Sequence, residues 1–231
     1  MEHAPYTVCK TCAIRTKSFC GALPVRSLDN LANTRRLVRF ERRQTIVCEG
    51  ATAVSLFNIV SGVVKLYRSL PDGRTQIVGI RLPGEFFAIA DGEKYTATAE
   101  ALTSVVVCRF SRSRLKQLMQ QFPQIQARLL EMSYRHLAAA QDQIFLLGRK
   151  TAREKVASFL MRYSGKFDPE RMDKYRRVPM TRTEIADFLG LTTETVSRVL
   201  TSFAREKLVA IDLSHSVRLL NIDLLRKIAG N

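Results

Sequence analysis

Three kinds of hydrophobic pattern follow one another along the chain, and each predicts a different type of element. Residues 28–111 carry short runs rich in Val, Ile, Phe and Tyr that are separated by glycine-containing turns. Among them, VVKLYRSLPDGRTQIVGIRL predicts two strands joined around Pro71-Asp72-Gly73. Short strands with frequent turns predict an antiparallel sandwich or jelly roll.

Residues 112–147 contain little glycine and many helix-forming residues, so we expect helices there. Pro123 is expected to begin a new helix at its first turn. Beyond it, apolar and small residues recur with heptad spacing over about three repeats, which predicts homodimerisation through this helix. The alternative is a helix packed only on its own β-domain. The seam positions are Leu130, Ser133, Leu137, Ala140, Ile144 and Leu147.

Residues 148–231 predict a second, mostly helical domain, and TRTEIADFLGLTTETVSRVLTSFARE at 181–206 is its most specific segment. Thr181 to Glu184 matches a capping box at a helix start. Gly190 supplies the permissive backbone of a tight turn, and Thr192 is placed to cap the next helix. Two short helices around a glycine turn are the signature of a helix-turn-helix.

The second of these helices carries polar residues on the side away from its apolar stripe. Arginine there can donate two hydrogen bonds to guanine, and glutamate can accept one from cytosine. Ser and Thr can contact a base or a phosphate, and further arginines can hold phosphates. The alternative is an ordinary helical hairpin with a solvated pair of opposite charges. The predicted DNA contacts are Thr192, Thr193, Glu194, Ser197 and Arg198 on the reading edge, with Arg182, Arg205 and Lys207 on phosphates.

Composition and charge agree with a DNA-binding protein. The 231 residues suffice for two small domains, and 46% hydrophobic with 25% charged residues excludes a mainly disordered chain. Lys and Arg outnumber Asp and Glu by 37 to 21, and a net charge of +16 predicts a polyanionic partner. No membrane span and no apolar signal-peptide core are found, so we expect a cytoplasmic protein.

The five cysteines are unevenly placed, with three of them between Cys9 and Cys20. An odd number without a signal peptide argues against a disulfide framework, and such a cluster more often binds metal or carries out redox chemistry. A redox enzyme built on Cys9-x-x-Cys12 would need a βαβ unit, which the leader does not show. There is also no Ser-His-Asp set, P-loop or G-x-G-x-x-G, so we do not expect an enzyme.

Over nearly its whole length the chain resembles the Crp–Fnr family of bacterial transcription regulators. The resemblance is carried by GVVKLYRSLPDGRTQIVGIRLPGEFF, the long helix and MTRTEIADFLGLTTETVSRVL. It implies an α+β fold with an N-terminal antiparallel β-roll (a cyclic-nucleotide-binding-like jelly roll), a long dimerisation helix and a C-terminal winged helix-turn-helix. The predicted segments are a Cys-rich cluster-binding leader at 1–27, a β-roll sensor domain at 28–111, the dimerisation helix at 112–147 and the DNA-binding domain at 148–231.

The recognition motif resembles that of the Fnr branch of the family. Glu194, Ser197 and Arg198 form the E-x-x-S-R that resembles this branch's base-reading motif, which implies a palindrome with TTGAT-type half-sites. Two symmetric recognition helices would meet half-sites about 34 Å apart. The resemblance also implies an activator or repressor of oxygen-limited metabolism. It further implies a contact with RNA polymerase at the hairpin tip of Asp72 and Gly73.

The oxygen sensors of this family hold a [4Fe–4S] cluster on four cysteines. Cys9-x2-Cys12-x7-Cys20 resembles their N-terminal set, and Cys108 resembles their distant ligand. The resemblance implies that oxygen degrades the cluster, loosens the dimer and lowers DNA affinity. Zinc on the same thiolates, in a regulator that lacks a cluster, is the alternative. Cys48 has no counterpart among the ligands and is predicted to be a buried small hydrophobe.

Two departures from the family pattern change what we expect. The chain retains Gly84 and Glu85 of the family's cyclic-nucleotide site, but the stretch Thr96-Ala97-Thr98 has no arginine to bind the phosphate. We therefore expect no cyclic nucleotide and read Gly84-Glu85 as a structural turn. Ala140 stands where some oxygen sensors of the family carry an acid that weakens the unliganded dimer, which predicts readier dimerisation without the cluster.

Overall fold

The computed structural model describes residues 9–88, 90–163, 178–211 and 217–230. The charged stretch 168–180, whose composition predicts a loop, lies mostly outside them. The chain divides into two compact units, Met1–Arg68 with Ile80–Ala138, and Ser69–Gly79 with Ala139–Asn231. None of the helices in the described ranges is long and apolar enough to cross a bilayer.

The first unit begins with short helical turns that lead into a β-roll. The leader forms 3₁₀ turns at Cys9–Thr11, Arg15–Lys17, Phe19–Ala22 and Val25–Ser27, followed by helix α1 at Leu28–Thr34. The strands are β1 Arg35–Phe40, β2 Thr45–Val47, β3 Ser55–Ser61, β4 Val64–Ser69, β5 Thr75–Arg81, β6 Phe86–Phe87, β7 Ala90–Asp91, β8 Lys94–Tyr95, β9 Thr98–Ala101 and β10 Val105–Ser111. Their hydrogen bonding gives two four-stranded sheets, ordered β1-β10-β3-β6 and β2-β9-β4-β5, and a small β7–β8 hairpin. Most of β5 belongs to the segment Ser69–Gly79, which the division assigns to the second unit. The predicted antiparallel β-roll is confirmed.

An apolar core fills the interior of this roll. Phe57 and Phe87 stack with their ring centroids 5.1 Å apart, and both are buried among Ile59, Tyr95 and Val107. Alternating side chains of both sheets point into this core, as expected for strands that are solvated on one face. The tight turn predicted at Gly84-Glu85 is present. Gly84 has φ +92°, and the Glu85 carboxylate accepts a hydrogen bond from the Leu82 amide at 2.9 Å.

A second core joins the leader to the helices that follow the roll. Phe19 of the leader meets Phe110 of β10 edge to face at 5.2 Å, and both are fully buried. The sequence of the leader shows no clear period, because its turns bury isolated side chains rather than a stripe. The same cluster includes Leu23, Leu28, Leu31, Leu115, Leu118, Ile125 and Met132. Leader, roll and helices therefore share one apolar core within this unit.

Two helices follow the roll, α2 at Arg112–Gln121 and α3 at Pro123–Arg149. Pro123 begins α3, as predicted. Several large apolar side chains of α3 remain exposed in the single chain: Leu130 is 52%, Leu137 57% and Ile144 70% accessible. Seam residues Ser133 and Leu147 are half-buried and Ala140 is exposed. Dimerisation through this face stays a prediction.

The prediction that Cys48 is buried is wrong. Cys48 follows β2 in an exposed turn, where its carbonyl accepts a hydrogen bond from the Ala51 amide at 3.2 Å and Gly50 adopts φ +77°. The turn leaves the roll instead of continuing the strand into it. An apolar run such as TIV therefore does not determine the burial of the residue that follows it.

The second unit contains the C-terminal helices and a β-hairpin. Its elements are α4 Ala152–Tyr163, α5 Arg182–Leu189, α6 Thr193–Arg205, β11 Val209–Ile211, β12 Val217–Leu219 and α7 Ile222–Ile228. Strands β11 and β12 pair antiparallel directly after α6, which supplies the wing that the fold class predicts. The core beneath α5 and α6 is apolar, with Phe159, Leu189, Val196, Leu200 and Phe203 buried.

Helix α6 ends in a Schellman motif with a strained residue. The Leu208 amide donates to the Phe203 carbonyl at 2.9 Å and the Lys207 amide to the Ala204 carbonyl at 3.1 Å. Lys207 occupies the left-handed position with φ +57°, where glycine is preferred.

We expect Lys207→Gly to stabilise the protein by about 1 kcal/mol, measured by urea denaturation. If Lys207 also contacts phosphate, DNA affinity falls in the same variant. If Lys207→Gly is less stable than the parent chain, the left-handed backbone of Lys207 is not strained.

A bidentate ion pair joins α4 to the end of α6. Arg153 Nη1 donates to Glu206 Oε1 at 2.7 Å, Arg153 Nη2 pairs with Oε2, and the Ser202 hydroxyl donates to Oε1 at 2.7 Å. The bonds from Arg153 and then Ser202 lower the pKa of Glu206 to about 2. The carboxylate therefore contributes stability above its ordinary pKa of 4.5, and this contribution is lost as the pH falls from 4.5 towards 2.

We accordingly expect Glu206→Gln to lower the melting temperature at pH 7, and we expect the difference from the parent chain to shrink between pH 4.5 and pH 2. Thermal melts followed by circular dichroism across that range measure it. Asp223→Asn is the matched control, because Asp223 pairs with Arg226 at an exposed site in the same unit. A melting-temperature difference between Glu206→Gln and the parent chain that stays constant down to pH 2 would show that Arg153 and Ser202 do not lower the pKa of Glu206 to about 2.

Candidate DNA interface and thiol cavity

The helix-turn-helix forms from local signals that the sequence carries in full. In the capping box of α5, the Glu184 amide donates to the Thr181 hydroxyl at 3.1 Å, and the Thr181 amide donates to the Glu184 carboxylate at 2.8 Å. Gly190 closes α5 with φ +59°. The Thr192 hydroxyl accepts from the Thr195 amide at 3.2 Å and so caps α6. All three predicted capping and turn roles are confirmed.

The predicted reading residues lie together on the solvent side of α6. Glu194 and Arg198 are exposed, and Thr193 and Ser197 are half-buried, while Val196, Leu200 and Phe203 face the core. Hydrogen bonds from its own backbone amide and then from Thr192 lower the pKa of Glu194, so it is ionised at neutral pH and can accept from a base amino group. Within the described ranges, Arg198 Nη2 donates to the Thr195 hydroxyl, at 3.3 Å.

Residues outside the predicted set extend this surface. Thr183 of α5 is exposed and meets Thr193, with their hydroxyls 3.5 Å apart. Thr201 is exposed seven residues beyond Glu194, so the helical spacing itself could have indicated it. Of the three predicted phosphate contacts, Arg205 and Lys207 are exposed. Arg182 is half-buried, its Nη1 has no hydrogen-bond partner within the described structure, and this burial lowers its pKa.

The four cysteines predicted as metal ligands line one small cavity in the first unit. Cys9, Cys12 and Cys20 come from the leader turns, and Cys108 comes from β10, where it lies opposite Leu37 of β1 and Asn58 of β3. The cavity has a volume of about 20 Å³. Its described walls also include Ile14, Arg15, Arg35, Leu37 and Val60. The fold therefore brings together thiols that lie far apart in the sequence.

The chemistry of this cavity suits a thiolate-bound metal centre. Burial raises the pKa of Cys20 and of Cys108 to about 12, so both are neutral thiols unless a cation displaces their protons. Arg35 Nε donates to Cys9 Sγ at 3.1 Å and places positive charge beside the set. Four sulfur donors, with Ile14, Leu37 and Val60 as apolar walls, fit an iron–sulfur cluster or zinc.

The cavity is not shaped in advance around a large centre. No group of three metal-binding side chains within the described residues is already arranged to hold an ion. Its volume of about 20 Å³ is that of roughly one water. Cys9 and Cys12 are only half-buried and lie on short turns, so their side chains have room to move apart.

The hairpin tip predicted to contact polymerase is an exposed turn. The Asp72 carboxylate accepts from the Arg74 amide at 3.1 Å and from Arg74 Nε at 2.8 Å, and these bonds lower the pKa of Asp72. Gly73 adopts φ +87° at the tip. The tip is thus a structured, charged projection.

A β-roll, a long helix with an apolar face and a winged helix-turn-helix define a DNA-binding transcription regulator. The family model of the cyclic nucleotide-binding domain matches residues 37–122, and that of the Crp-like helix-turn-helix domain matches residues 154–228. The chain belongs to the Crp–Fnr family of transcription regulators, in its Fnr-type branch, and is not an enzyme.

Relatives across the family show how far the similarity extends. The chain is 40% identical over 205 residues to the transcriptional activatory protein AadR of Rhodopseudomonas palustris, covering 88% of this chain and 86% of the relative. It is 32% identical over 232 residues to the transcriptional activator FnrL of Cereibacter sphaeroides, covering 96% and 92%. The structure of FixK2 from Bradyrhizobium japonicum superposes with a TM-score of 0.77 at 32% identity, covering 84% and 96%. The fold and the DNA-binding activator function are thereby established.

Proposed function

We propose that this activator senses oxygen through a [4Fe–4S] cluster held by Cys9, Cys12, Cys20 and Cys108, and that as a homodimer it binds a TTGAT-type palindrome. The observation that carries the proposal is the convergence of these four cysteines on one cavity. If the leader cysteines acted separately from Cys108, their function would not require all four thiols to line the same cavity. When bound, the cluster would cross-link leader and roll through four thiolates.

The packing around Cys20 supports a connection between the cluster and the helices. Cys20 and Cys108 belong to the same apolar cluster as Ile125 and Met132 of α3. Cores are close-packed, so a change in the position of the leader is transmitted to the residues that it touches. Loss of the cluster would thereby shift α3 between two packings, and the shift needs a difference in stability between those states.

The exposed seam of α3 supports the homodimer. Leu130, Leu137 and Ile144 repeat at seven residues and are each more than half exposed in the single chain. Burying an exposed leucine or isoleucine stabilises an association by roughly 1.5–3 kcal/mol. Two such helices would place two copies of α6 in successive major grooves. The Asp72-Gly73 tip is the surface that we assign to RNA polymerase.

A regulator that holds zinc, or responds to thiol oxidation without a cluster, is the second candidate. The small volume of the thiol cavity favours it, because a single zinc ion needs less room than a four-iron cluster. A cyclic nucleotide is not part of the proposal, because the stretch Thr96-Ala97-Thr98 lacks the arginine that would bind its phosphate. The Thr98 hydroxyl instead accepts a hydrogen bond from the Glu49 amide at 3.0 Å.

Anaerobic purification tests the proposal. We expect coloured protein with about four iron and four sulfide per chain, with visible absorption that bleaches in air as operator affinity falls. A colourless protein with one zinc per chain would support the second candidate. Protein that contains neither metal and whose DNA binding is insensitive to air but sensitive to thiol oxidants would assign the cysteines to thiol chemistry.

A further inference from the structure

A second cavity in the first unit has no role in the function proposed above. It lies between the start of β1, the end of β10 and the first turn of α2, and its volume is about 430 Å³. This falls in the range of small-molecule sites, roughly 300–1,000 Å³. None of its described lining residues is acidic, and four are arginines: Arg35, Arg36, Arg109 and Arg114. We refer to it as the arginine cavity.

The base of the arginine cavity is held in place by hydrogen bonds. Ser55 is only 3% exposed, and the Tyr95 hydroxyl both accepts from the Ser55 amide at 3.1 Å and donates to its carbonyl at 3.0 Å. Arg109 Nε donates to the Ser55 hydroxyl at 2.8 Å. A guanidinium held through Nε keeps its terminal N–H groups as donors for a ligand. Ser55 and the Nε end of the Arg109 guanidinium are thus held before any ligand binds.

All the charged side chains among the described lining residues are arginines, so positive charge accumulates here. Arg36 and Arg114 form no ion pair with any described residue. Helix α2 carries arginines and no acid in its first turn, although the N-terminal end of a helix is itself partially positive. Its N-cap residue Ser111 does not cap it and instead pairs with the Ser113 hydroxyl at 2.8 Å. An anion is the missing partner that would stabilise this arrangement.

We propose that the arginine cavity binds a small anion that carries a phosphate group, either inorganic or esterified. Arginine recognises phosphate oxygens through pairs of parallel hydrogen bonds, and amides at a helix N-terminus favour the same charge. The hydroxyls of Ser55 and Ser111, which also line the cavity, can donate further hydrogen bonds to phosphate oxygens. A DNA backbone fits less well, because the cavity extends down to the buried Ser55.

Arg35 connects the arginine cavity to the thiol cavity. Its side chain lines both, and its Nε donates to Cys9 Sγ at 3.1 Å. An anion bound here would place negative charge beside the guanidinium that contacts Cys9. Phosphate binding therefore provides a second input to the leader. The binding itself does not depend on iron, so it can be measured on iron-free protein.

Isothermal titration calorimetry of the full chain with pyrophosphate tests the inference. We expect one pyrophosphate per chain, and we expect Arg36→Gln combined with Arg114→Gln to weaken binding at least about tenfold. Lys116→Gln is the matched control, because it removes one charge from an exposed position of α2 that does not line the cavity. Inorganic phosphate and adenosine monophosphate, titrated in parallel, separate a free phosphate from a phosphate ester.

Equal affinities of the double variant and the Lys116→Gln control would overturn the proposal, as would a lack of measurable binding to the parent chain. A double variant that loses operator affinity on all sequences, with a weaker salt dependence and no pyrophosphate binding by the parent, would overturn it too. In that case the arginines contact the DNA backbone. Thermal melts of the variants confirm that each remains folded.

Discussion

Arg198→Ala is expected to reduce affinity for a TTGAT-type palindrome by about 5- to 150-fold per half-site, while binding to unrelated DNA changes little. The expectation follows from the position of the guanidinium on the exposed side of α6, next to Glu194 and Ser197. Its hydrogen bond to the Thr195 hydroxyl is long, at 3.3 Å, so it is readily exchanged for bonds to a base. Fluorescence anisotropy with operator and scrambled duplexes at one salt concentration measures the effect.

Two further substitutions show whether the loss concerns sequence reading. Arg205→Ala removes an exposed charge that we assign to phosphate, so it should weaken binding to both duplexes and lower the salt slope by about one. Arg226→Ala, on α7 in the same unit, removes a charge that is paired with Asp223 and should leave both affinities unchanged. If Arg198→Ala weakens both duplexes equally, Arg198 contacts the backbone and the base-reading assignment is wrong.

The helix-turn-helix was predictable because its instructions are local. The capping box at Thr181, the glycine at 190 and the cap at Thr192 each act within four residues of their partners. Such hydrogen bonds and turn preferences depend little on the remainder of the chain. The start of α3 at Pro123 was predictable for the same reason.

The leader was not predictable in this way, because its structure is set by distant contacts. Phe19 is buried against Phe110, and a Cβ at Gly84 would lie 2.7 Å from the Cβ of Lys17, so the roll and the leader approach each other closely. No periodicity in the sequence predicts such contacts, since each leader turn buries at most one or two side chains in the core. The exposure of Cys48 was missed because local apolarity does not say where a strand leaves its sheet.

The arginine cavity shows a different limit of sequence reasoning. Arg35 and Arg36 are separated from Arg109 and Arg114 by more than seventy residues, and the total charge of +16 conceals a local cluster. Antiparallel pairing of β1 with β10 places Arg36 opposite Arg109. Only the strand register shows that these charges converge on one cavity.

Removing single cysteines should have the second large effect. Cys9→Ala is expected to reduce anaerobically bound iron from about four per chain to a small fraction, because a cluster of this type needs four protein ligands. Operator affinity under nitrogen should then fall by about 5- to 150-fold, the usual range of coupling between two sites. Cys9 is only half-buried and packs at the edge of the apolar core that contains Phe19, so we expect its truncation to leave the fold in place. Iron and sulfide assays with anaerobic anisotropy titrations measure both changes.

Cys48→Ala is the matched control, since Cys48 is exposed and does not line the thiol cavity. It should retain both iron and operator affinity. Cys108→Ala should behave like Cys9→Ala in iron content although the two residues are far apart in the sequence, because the cavity makes them one donor set. Thermal melts of the iron-free proteins separate ligand loss from misfolding at the buried Cys108. Iron that persists in both variants would exclude these thiols as ligands, and iron loss with unchanged operator affinity would uncouple the cluster from DNA binding.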